Sequence, residues 1–522
     1  MNGLFQHAPV LPVVIPLLAA FATPLVAKLG KTVRRTWVTT ALVGTFAAVC
    51  LLLWRVLDSG IQVYVLGGKS STLVLPSGMA FPVRILFEVD AISAFMAFSG
   101  SLVAVAVGLY SIHFLRESSA LEKHDVLLLL LVAGMLGMEL TGDAFNFFVF
   151  LEVASVASFA LIAYQRKRPE SIEAAFKYMV ISTVGALFVL LAVGFLYGRY
   201  DALNFAALAS WMELTTADKL ALVLLVASLA MKSGAVPMHM WVPDAYGEAP
   251  ASVTALLVSV SQASLYGLFR VVFTLYGLEM NVLVVGWIII ALGLLSMFVG
   301  VTMALRQHDI KRLMAYHAVS QSGYMFLGLG VGLAVLGDPV AFGAYGMKAM
   351  EGGIFHIINH AMYKGLLFLT AGAIFLRTGT EDLNEMGGLG HKMTFTTVCF
   401  IIGAAAISGL PPFNGFASKL LIYESVYLFN PILAIIAMVV SILTLASFVK
   451  VFQSAFLGPK PEGPQPIREV PVFMQVGMGV LAVVVVLFGL FPGAVLDYLV
   501  HPAAQALVNR AGYIVQVIGG GM

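Results

Sequence analysis

The sequence predicts an all-α, polytopic membrane protein with about fourteen transmembrane helices. Of its 522 residues, 60% are hydrophobic and only 11% are charged, and the mean hydropathy is +0.97. A chain this apolar cannot enclose all of its hydrophobic side chains in one core beneath a polar surface. Apolar runs of about 20 residues, the length of helix that crosses a ~30 Å hydrocarbon layer, follow one another without a long polar stretch between them.

Fourteen spans can be placed in order along the chain. They are 8–27, 36–54, 90–114, 125–141, 144–164, 175–198, 219–241, 250–277, 280–304, 310–335, 352–377, 392–425, 427–450 and 471–498. No charged segment followed by a small-residue cleavage site opens the chain, so the first span is expected to be retained. The cysteines, Cys50 and Cys399, are too few and too far apart to build a disulfide framework or a metal cluster.

The distribution of basic residues predicts the orientation in the cell (inner) membrane. With fourteen spans, one set of alternate loops contains Lys28, Lys31, Arg34, Arg35, Arg116, Lys123, Arg166, Lys167, Arg168, Arg306, Lys311, Arg312, Arg377, Lys392, Lys450, Lys460 and Arg468. The other set contains only Arg55, Lys69, Arg84, Arg199, Lys219, Lys348 and Arg510. Because cytoplasmic loops are enriched in lysine and arginine, both termini are expected on the outer side.

Two further segments predict local structure. One lies between the second and third spans and the other lies inside the tenth span. Between 55 and 89, IQVYVLGG and FPVRILFEVD have the β-branched and aromatic character of a hairpin, which is expected on the outer side. GLGVG at 328–332 lies inside an apolar span with no preceding strand. It therefore predicts close packing between helices and not a nucleotide-binding loop.

Glycine and proline interrupt two of the spans. GAVP at 234–237 breaks the seventh span and GLPP at 409–412 breaks the twelfth, and each broken span carries a lysine, Lys232 or Lys419. Paired broken helices in the two halves of a membrane protein indicate inverted repeats around an ion or substrate site near the midplane. Because proline leaves backbone carbonyls unpaired, such breaks are expected to face protein or water. A kink used only for packing is the less favoured alternative.

A buried ion pair is predicted between the fifth and seventh spans. A lysine at the bilayer centre costs about 2.5–3.5 kcal/mol on insertion scales, so Lys232 needs a partner or a function. Glu152 is the only charge in FNFFVFLEVASVASFALIAY and lies about nine residues, hence ~14 Å of helix, from Asp143. Apposed, the two side chains would each hold the other charged. A static salt bridge that joins two helices is the alternative to a proton-binding pair.

Histidines in the eleventh span extend this polar series. In GGIFHIINHAMYKGLLFL, His356, His360 and Lys364 recur every four residues and form one stripe on the helix. Histidine titrates near neutral pH and can pass a proton through its two nitrogens, which favours a proton relay. The same histidine spacing can bind a metal, but no glutamate follows the first histidine and no third ligand is evident. His317, in AYHAVSQSGY, either joins the relay or makes an ordinary hydrogen bond.

Lys419, in NGFASKLLIYES, is expected in the outer half of its span. That place suits the last member of a proton path that opens to the outside. The alternative is a lysine that snorkels to the membrane interface.

Several long motifs resemble one family of ion-translocating subunits. They are LTGDAFNFFVFLEV (140–153), KSGAVPMHMWVPDAYGEAPASVTALL (232–257), DIKRLMAYHAVSQSGYM (309–325), FHIINHAMYKGLLFL (355–369) and ISGLPPFNGFASKLLIYES (407–425). Together they resemble the antiporter-like subunits of respiratory complex I, of Mrp-type cation/proton antiporters, and of membrane-bound hydrogenases and related ferredoxin-linked complexes. The resemblance covers about residues 85–430. SQSGY in place of a serine-histidine pair, with Lys419 in place of a glutamate, is most similar to the larger Mrp-like subunit.

The resemblance implies a fold of fourteen helices with two inverted five-helix repeats, in which helices 7 and 12 are discontinuous. The single membrane domain, 1–522, would then comprise 1–114 (helices 1–3 with the outer hairpin 55–89), 125–277 (first repeat), 280–450 (second repeat) and 471–498 (helix 14).

The resemblance also implies roles for individual residues. Glu152 and Lys232 match the ion pair of the fifth and seventh helices, Lys364 matches the lysine of the eleventh helix, and Lys419 matches that of the twelfth. The family's lysine in the eighth helix falls on Gln262, in SVSQASLYGLFR. Glutamine cannot bind and release a proton, so the middle of the relay would use water, or Ser259 and Ser261, or be interrupted.

The leading hypothesis is a proton-translocating, antiporter-like subunit of a larger complex, with sodium as a second candidate ion. The transfer path would comprise Glu152, Lys232, Gln262, His317, His356, His360, Lys364 and Lys419. No cofactor, metal, nucleic acid or redox chemistry of its own is expected, and the partners would be lipid and other membrane subunits, including antiporter-like and small helical ones. The alternatives are a structural subunit with a degenerate proton path and a stand-alone solute or cation transporter.

Overall fold

The computed structural model describes residues 6–66, 73–74, 80–81, 85–115, 120–165, 168–457 and 467–519. It is 83% helical, which confirms the all-α class. Part of the predicted hairpin segment and six of the basic loop residues used to predict the orientation lie outside the described residues: Lys69, Arg84, Arg116, Arg166, Lys167 and Lys460.

Twenty-one α-helices occupy the described residues. The first ten are α1 (Leu11–Ala27), α2 (Lys31–Ser59), α3 (Ala91–Phe114), α4 (Leu121–Leu140), α5 (Ala144–Ile162), α6 (Pro169–Tyr200), α7 (Phe205–Trp211), α8 (Thr216–Lys232), α9 (Trp241–Glu248) and α10 (Ala251–Phe269). The others are α11 (Val282–Leu305), α12 (Ile310–Ala334), α13 (Pro339–Ala341), α14 (Met347–Thr378), α15 (Thr394–Ser408), α16 (Asn414–Phe429), α17 (Pro431–Phe452), α18 (Val472–Leu490), α19 (Pro492–Val495), α20 (His501–Val508) and α21 (Arg510–Gly519).

Several α-helices continue into other helical forms. Wider π-helical turns occupy Arg270–Tyr276, Phe342–Gly346, Gln453–Leu457 and Leu496–Val500, and short 3₁₀ turns occupy Gly277–Glu279 and Leu389–His391. The first two π segments join α10 to its 3₁₀ turn and α13 to α14, so each of these helices runs on without a loop.

The helices agree with a chain that crosses the membrane several times. A helix, or a pair of helices around a break, lies at each predicted span. Within the described ranges, nine helices are long and apolar enough to cross a bilayer, and α1 and α15 are apolar but shorter. The multi-pass location is therefore confirmed, whereas the count of fourteen spans stays a prediction.

Four short strands lie between α2 and α3. Strand β1 (Gln62–Val65) pairs antiparallel with β4 (Leu86–Val89), with Gln62 opposite Val89. Strand β2 (Leu73–Val74) pairs antiparallel with β3 (Ala80–Phe81). The β4 residues are all buried, so this edge of the segment packs onto the helices.

Three helices form the interior of the helical assembly. In α14, residues 352–374 are all buried, and in α12 every residue except Arg312 is buried. In α10 only one residue, Ser261, is less than fully buried. By contrast, only 33% of the most apolar stretch of α11 is buried, and its large exposed side chains are aliphatic or aromatic. Polar groups on α10, α12 and α14 are therefore kept away from lipid by protein.

Close approach between α12 and α14 depends on the glycines of the GLGVG segment. A Cβ atom added at Gly328 would lie 2.6 Å from the Ala349 carbonyl oxygen and 2.9 Å from the Gly353 nitrogen. One added at Gly332 would overlap the Met350 side chain. The prediction of a close packing site between helices is confirmed, because backbone atoms of α14 occupy the space that a side chain would need.

Replacing Gly328 with alanine should destabilise the protein. The added methyl group meets backbone that cannot move alone, and overpacking of this kind costs about 1–3 kcal/mol. The matched control is Gly194→Ala in α6, where no described heavy atom outside its own helical backbone lies within 4 Å. Thermal unfolding in detergent should show a lower midpoint for Gly328→Ala and an equal or higher one for Gly194→Ala. Equal midpoints for the two variants would contradict the packing role.

Candidate functional site

The two broken helices end in the same way. Gly234 after α8 and Gly409 after α15 have φ angles of +79° and +75°, a left-handed conformation that suits glycine. The next residue donates its N–H to the carbonyl five positions earlier, in the bonds Ala235 to Ala230 (2.9 Å) and Leu410 to Ala405 (3.0 Å). A cis prolyl bond follows each glycine, at Val236–Pro237 and at Pro411–Pro412. The chain then resumes as α9 and α16.

Lys232 is the last residue of α8 and lies between α5 and α6. Its Nζ atom donates hydrogen bonds to the hydroxyl oxygens of Ser155 and Ser182, each at 2.7 Å, and lies 4.0 Å from Oε1 of Glu152. The Lys232 side chain is 5% exposed and that of Glu152 is 33% exposed. The structure thus places the predicted pair in contact, but two hydroxyl groups are the closer partners of the ammonium group.

Two small cavities, each lined by apolar and polar side chains, lie between Lys232 and the histidines of α14. One, of about 10 Å³, is lined by Lys232, Tyr246 and Ser261 among others. The other, also about 10 Å³, is lined by Tyr246, Ser261, Gln262 and His360. Each has room for about one water molecule. Tyr246 and Ser261 line both cavities and therefore form the wall between them.

Gln262 contacts the histidine stripe directly. Its side-chain nitrogen donates to the Ile357 carbonyl oxygen at 2.9 Å and lies 2.9 Å from Nδ1 of His360. Because a carbonyl can only accept, the amide nitrogen of Gln262 must face this position, and His360 Nδ1 receives the second N–H as an acceptor. The neutral His360 ring consequently carries its hydrogen on Nε2.

A second set of hydrogen bonds runs from His356 towards α16. Tyr363, whose ring packs edge-on against His360 with centroids 5.6 Å apart, places its hydroxyl 3.2 Å from Nε2 of His356. His356 Nδ1 lies 3.0 Å from the hydroxyl of Ser418, the neighbour of Lys419. The histidine stripe therefore reaches the twelfth-span lysine region through alternating hydroxyl and imidazole groups.

Lys364 and Lys419 are buried without a carboxylate partner among the described residues. Nζ of Lys364 donates to the Met314 carbonyl oxygen and lies over the Phe368 ring, 5.5 Å from its centre. Nζ of Lys419 donates to the Ile407 carbonyl oxygen at 2.7 Å and to the Ser441 hydroxyl at 3.0 Å. Lys419 is only 1% exposed, so its ammonium group does not snorkel to the interface. It bonds instead to the carboxyl end of α15, which carries negative partial charge.

His317 forms its hydrogen bond to α17 and not to the histidines of α14. Its Nε2 atom lies 2.8 Å from the Ser447 hydroxyl on α17, and its ring packs against Phe448 with centroids 4.9 Å apart. No described contact joins it to His356, His360 or either neighbouring lysine. Within the described chain, no three His, Cys, Asp or Glu side chains, including His356 and His360, converge in a way that could hold a metal ion.

Hydroxyl groups are the site residues that sequence reasoning missed. Ser155 lies three residues after Glu152 and Tyr363 three residues after His360, so helical spacing could have identified both. Ser418 is the sequence neighbour of Lys419, which does not place the two side chains on one helix face. Ser182 and Tyr246 carry no comparable signal. Both come into the site because separate segments of the chain converge on Lys232 and on Ser261.

The sequence and the fold of this chain are similar to those of known proteins. The family model described as NADH:quinone oxidoreductase/Mrp antiporter, TM, matches residues 141–444. The chain belongs to this family. It is 33% identical over 522 residues to NADH-quinone oxidoreductase subunit N of Desulforudis audaxviator, covering 95% of this chain and 98% of that one. It is also 33% identical over 441 residues to an Na⁺/H⁺ antiporter subunit of Alkalihalophilus pseudofirmus, covering 80% of this chain.

The chain matches 54% of the length of that antiporter subunit. Among solved structures, a chain of an archaeal respiratory membrane complex, the membrane-bound sulfane sulfur reductase, superposes with a TM-score of 0.86 at 26% identity. That match covers 98% of this chain and all of the other, so the whole fold is shared. These relatives are subunits of larger membrane assemblies, and this member of the family is an antiporter-like membrane subunit with a role in transport.

Removing the two hydroxyl partners of Lys232 tests whether its side chain is charged. A hydrogen bond to a charged group contributes about 1.5–3 kcal/mol, so Ser155→Ala with Ser182→Ala should lower the thermal midpoint in detergent. The control is Ser228→Ala on α8, whose hydroxyl bonds only to the Leu224 carbonyl at 2.6 Å. Midpoints no lower than that of the control would show that Lys232 carries no charge in the resting protein.

Proposed function

We propose that this subunit conducts protons across the membrane along the buried series from Glu152 and Lys232 to Lys419. The observation that carries the proposal is the burial of Lys232, Lys364 and Lys419 beside two histidines, with Glu152 as the one carboxylate in contact with any of these lysines in the described chain. Each buried charge costs several kcal/mol unless it is compensated. Three such lysines in one polar series are better explained by proton binding than by stability.

The Glu152–Lys232 pair is the proposed switch. At 4.0 Å, the carboxylate favours the charged ammonium form without a hydrogen bond to hold the two groups together. When Glu152 is protonated or drawn away, only neutral hydroxyls remain beside Lys232. Desolvation then favours the neutral amine, and the released proton moves towards the Tyr246 side of the cavity.

The ion is a proton and not sodium on this proposal. The path is composed of ammonium, imidazole, hydroxyl and amide groups, and sodium, like other hard cations, prefers several convergent oxygen ligands. Lys232, Lys364 and Lys419 would repel a second cation along the route. Imidazole and hydroxyl groups, by contrast, both accept and donate protons.

The proposed architecture is fourteen spans with inverted repeats at 125–277 and 280–450. Its support is the matching geometry of the breaks after α8 and α15, each with a left-handed glycine and a hydrogen bond to the carbonyl five residues back. Broken helices related in this way surround midplane ion sites in transporters with inverted repeats.

Neighbouring membrane subunits are the proposed partners. The Glu152 side chain is 33% exposed although it lies within an apolar helix, and a carboxylate facing lipid is costly. A further membrane protein, antiporter-like or small and helical, would cover this face and move the carboxylate. The relatives named above work in assemblies of this kind, which supports the proposal.

Transport assays with two substitutions test the function. In the native complex reconstituted into liposomes, Lys232→Ala should abolish proton movement and Glu152→Gln should reduce it about 10²-fold or more, because each removes a proton-binding or charge-switching group. The controls are Lys219→Ala and Glu122→Gln, which remove exposed charges. Undiminished coupling in both test variants would leave only a structural role. Full activity of the chain expressed alone would instead indicate a stand-alone transporter.

Cysteine labelling tests the proposed orientation, with both termini outside. In a Cys50→Ser, Cys399→Ser background, a membrane-impermeant maleimide added outside intact cells should label Gln505→Cys near the C-terminus. It should label Lys123→Cys at the start of α4 only after permeabilisation. The reverse pattern would invert the proposed topology.

A further inference from the structure

The wall between the two polar cavities has an unusual composition for a membrane interior. Tyr246, from α9, places its hydroxyl 3.1 Å from the Ser261 hydroxyl of α10. Tyr246 is 1% exposed, and its hydroxyl also lies 3.1 Å from the Leu257 carbonyl oxygen. The Ser261 hydroxyl lies 2.8 Å from the Val258 carbonyl oxygen. Each hydroxyl therefore has one hydrogen and a choice between a carbonyl acceptor and the other hydroxyl.

We propose that Tyr246 and Ser261 form the hydroxyl junction through which protons pass from the Lys232 cavity to the His360 cavity. This inference rests on the proposed function. The family resemblance implies that a lysine at position 262 makes this transfer, but this chain has glutamine there. The inference assigns the transfer to Tyr246 instead.

Gln262 cannot itself transfer the proton between the two cavities. Both hydrogens of its amide nitrogen are used, one on the Ile357 carbonyl and one on His360 Nδ1. An amide neither gains nor loses a proton near neutral pH, so Gln262 is a positioning residue that orients the His360 ring. The groups that line both cavities and can exchange a proton are the hydroxyls of Tyr246 and Ser261.

The transfer balances without an ionised tyrosine. A proton that arrives from the Lys232 side bonds to the Tyr246 oxygen while the original Tyr246 hydrogen passes to the Ser261 oxygen. The original Ser261 hydrogen leaves into the second cavity, where His360 Nδ1 binds it once the Gln262 N–H that occupies this nitrogen moves aside. Both hydroxyls end neutral, and rotation of their hydrogens back to the Leu257 and Val258 carbonyls resets the junction.

The Tyr246 ring is held still, so only the hydroxyl hydrogen needs to move. The ring packs edge-on against Trp241, with centroids 5.9 Å apart, and against Phe368, with centroids 6.0 Å apart. A rigid ring keeps the oxygen within reach of Ser261 and of both cavities, which is the positioning that proton transfer requires.

Removing one oxygen atom tests the junction. In the native complex reconstituted into liposomes, Tyr246→Phe should slow proton movement about tenfold or more, since a positioned proton-transfer group contributes about 10²–10⁴-fold. The matched control is Tyr110→Phe, a fully buried tyrosine that lines neither cavity and whose hydroxyl donates to the Leu369 carbonyl at 2.9 Å. A normal rate for Tyr246→Phe, or an equal loss in Tyr110→Phe, would overturn the junction.

Rescue distinguishes proton transfer from a structural role. Adding Gln262→Lys to Tyr246→Phe supplies a second proton-binding group beside the cavity and should restore most of the rate, whereas it cannot repair a packing defect at residue 246. Absence of rescue with intact assembly would overturn the inference. Lys232→Ala separates the two proposals: if it abolishes transport while Tyr246→Phe does not, only the junction fails, and if it leaves transport intact, the proposed function fails.

Discussion

Three lysine ammonium groups are buried in a medium of low dielectric constant, and the rest of the structure must supply hydrogen-bond acceptors that offset the cost of burying them. A lysine at the bilayer centre costs about 2.5–3.5 kcal/mol on insertion scales, and this chain has Lys232, Lys364 and Lys419 within its interior. Each finds acceptors, but they are mostly neutral: serine hydroxyls for Lys232, a backbone carbonyl for Lys364, and a carbonyl with a serine hydroxyl for Lys419. Neutral acceptors lower the cost of the charge without cancelling it, and on the proposed function this leaves the amines able to release protons.

The helix breaks position these lysines and supply an acceptor, and the buried helices keep the polar side chains away from lipid. The break after α15 ends the helical hydrogen-bond ladder, and the freed Ile407 carbonyl accepts from Lys419. The break after α8 leaves Lys232 at a helix end, between α5 and α6. Because α14 is covered on every side, His356, His360 and Lys364 can lie on it without facing lipid. Glycines on α12 permit this covering by letting the backbones approach closely.

Gln262 lies where the family resemblance implies a lysine, and on the proposed function this changes how protons pass between the two halves of the path. A lysine there would be a third charge between Lys232 and Lys364 and would repel both. Gln262 instead donates one N–H to the Ile357 carbonyl and one to His360 Nδ1, and its neutral amide avoids that repulsion. The cost is a missing proton carrier, which the Tyr246–Ser261 hydroxyls are placed to replace. On the proposed function, the path therefore relies on neutral groups at its centre and on charged groups at its ends.

The amino-acid sequence by itself determined the membrane class, the places of the helices, both breaks and the titratable residues, because apolar run length, glycine-proline pairs and isolated charges are local signals. It could not determine which hydroxyls surround those charges. Ser182 and Tyr246 reach Lys232 and Ser261 from distant segments, and His317, which no helical spacing links to the other histidines, bonds to Ser447. Only the packing of α5, α6, α9 and α10 decided these neighbours, since contacts between helices depend on relative rotation and depth, which no single stretch of sequence encodes.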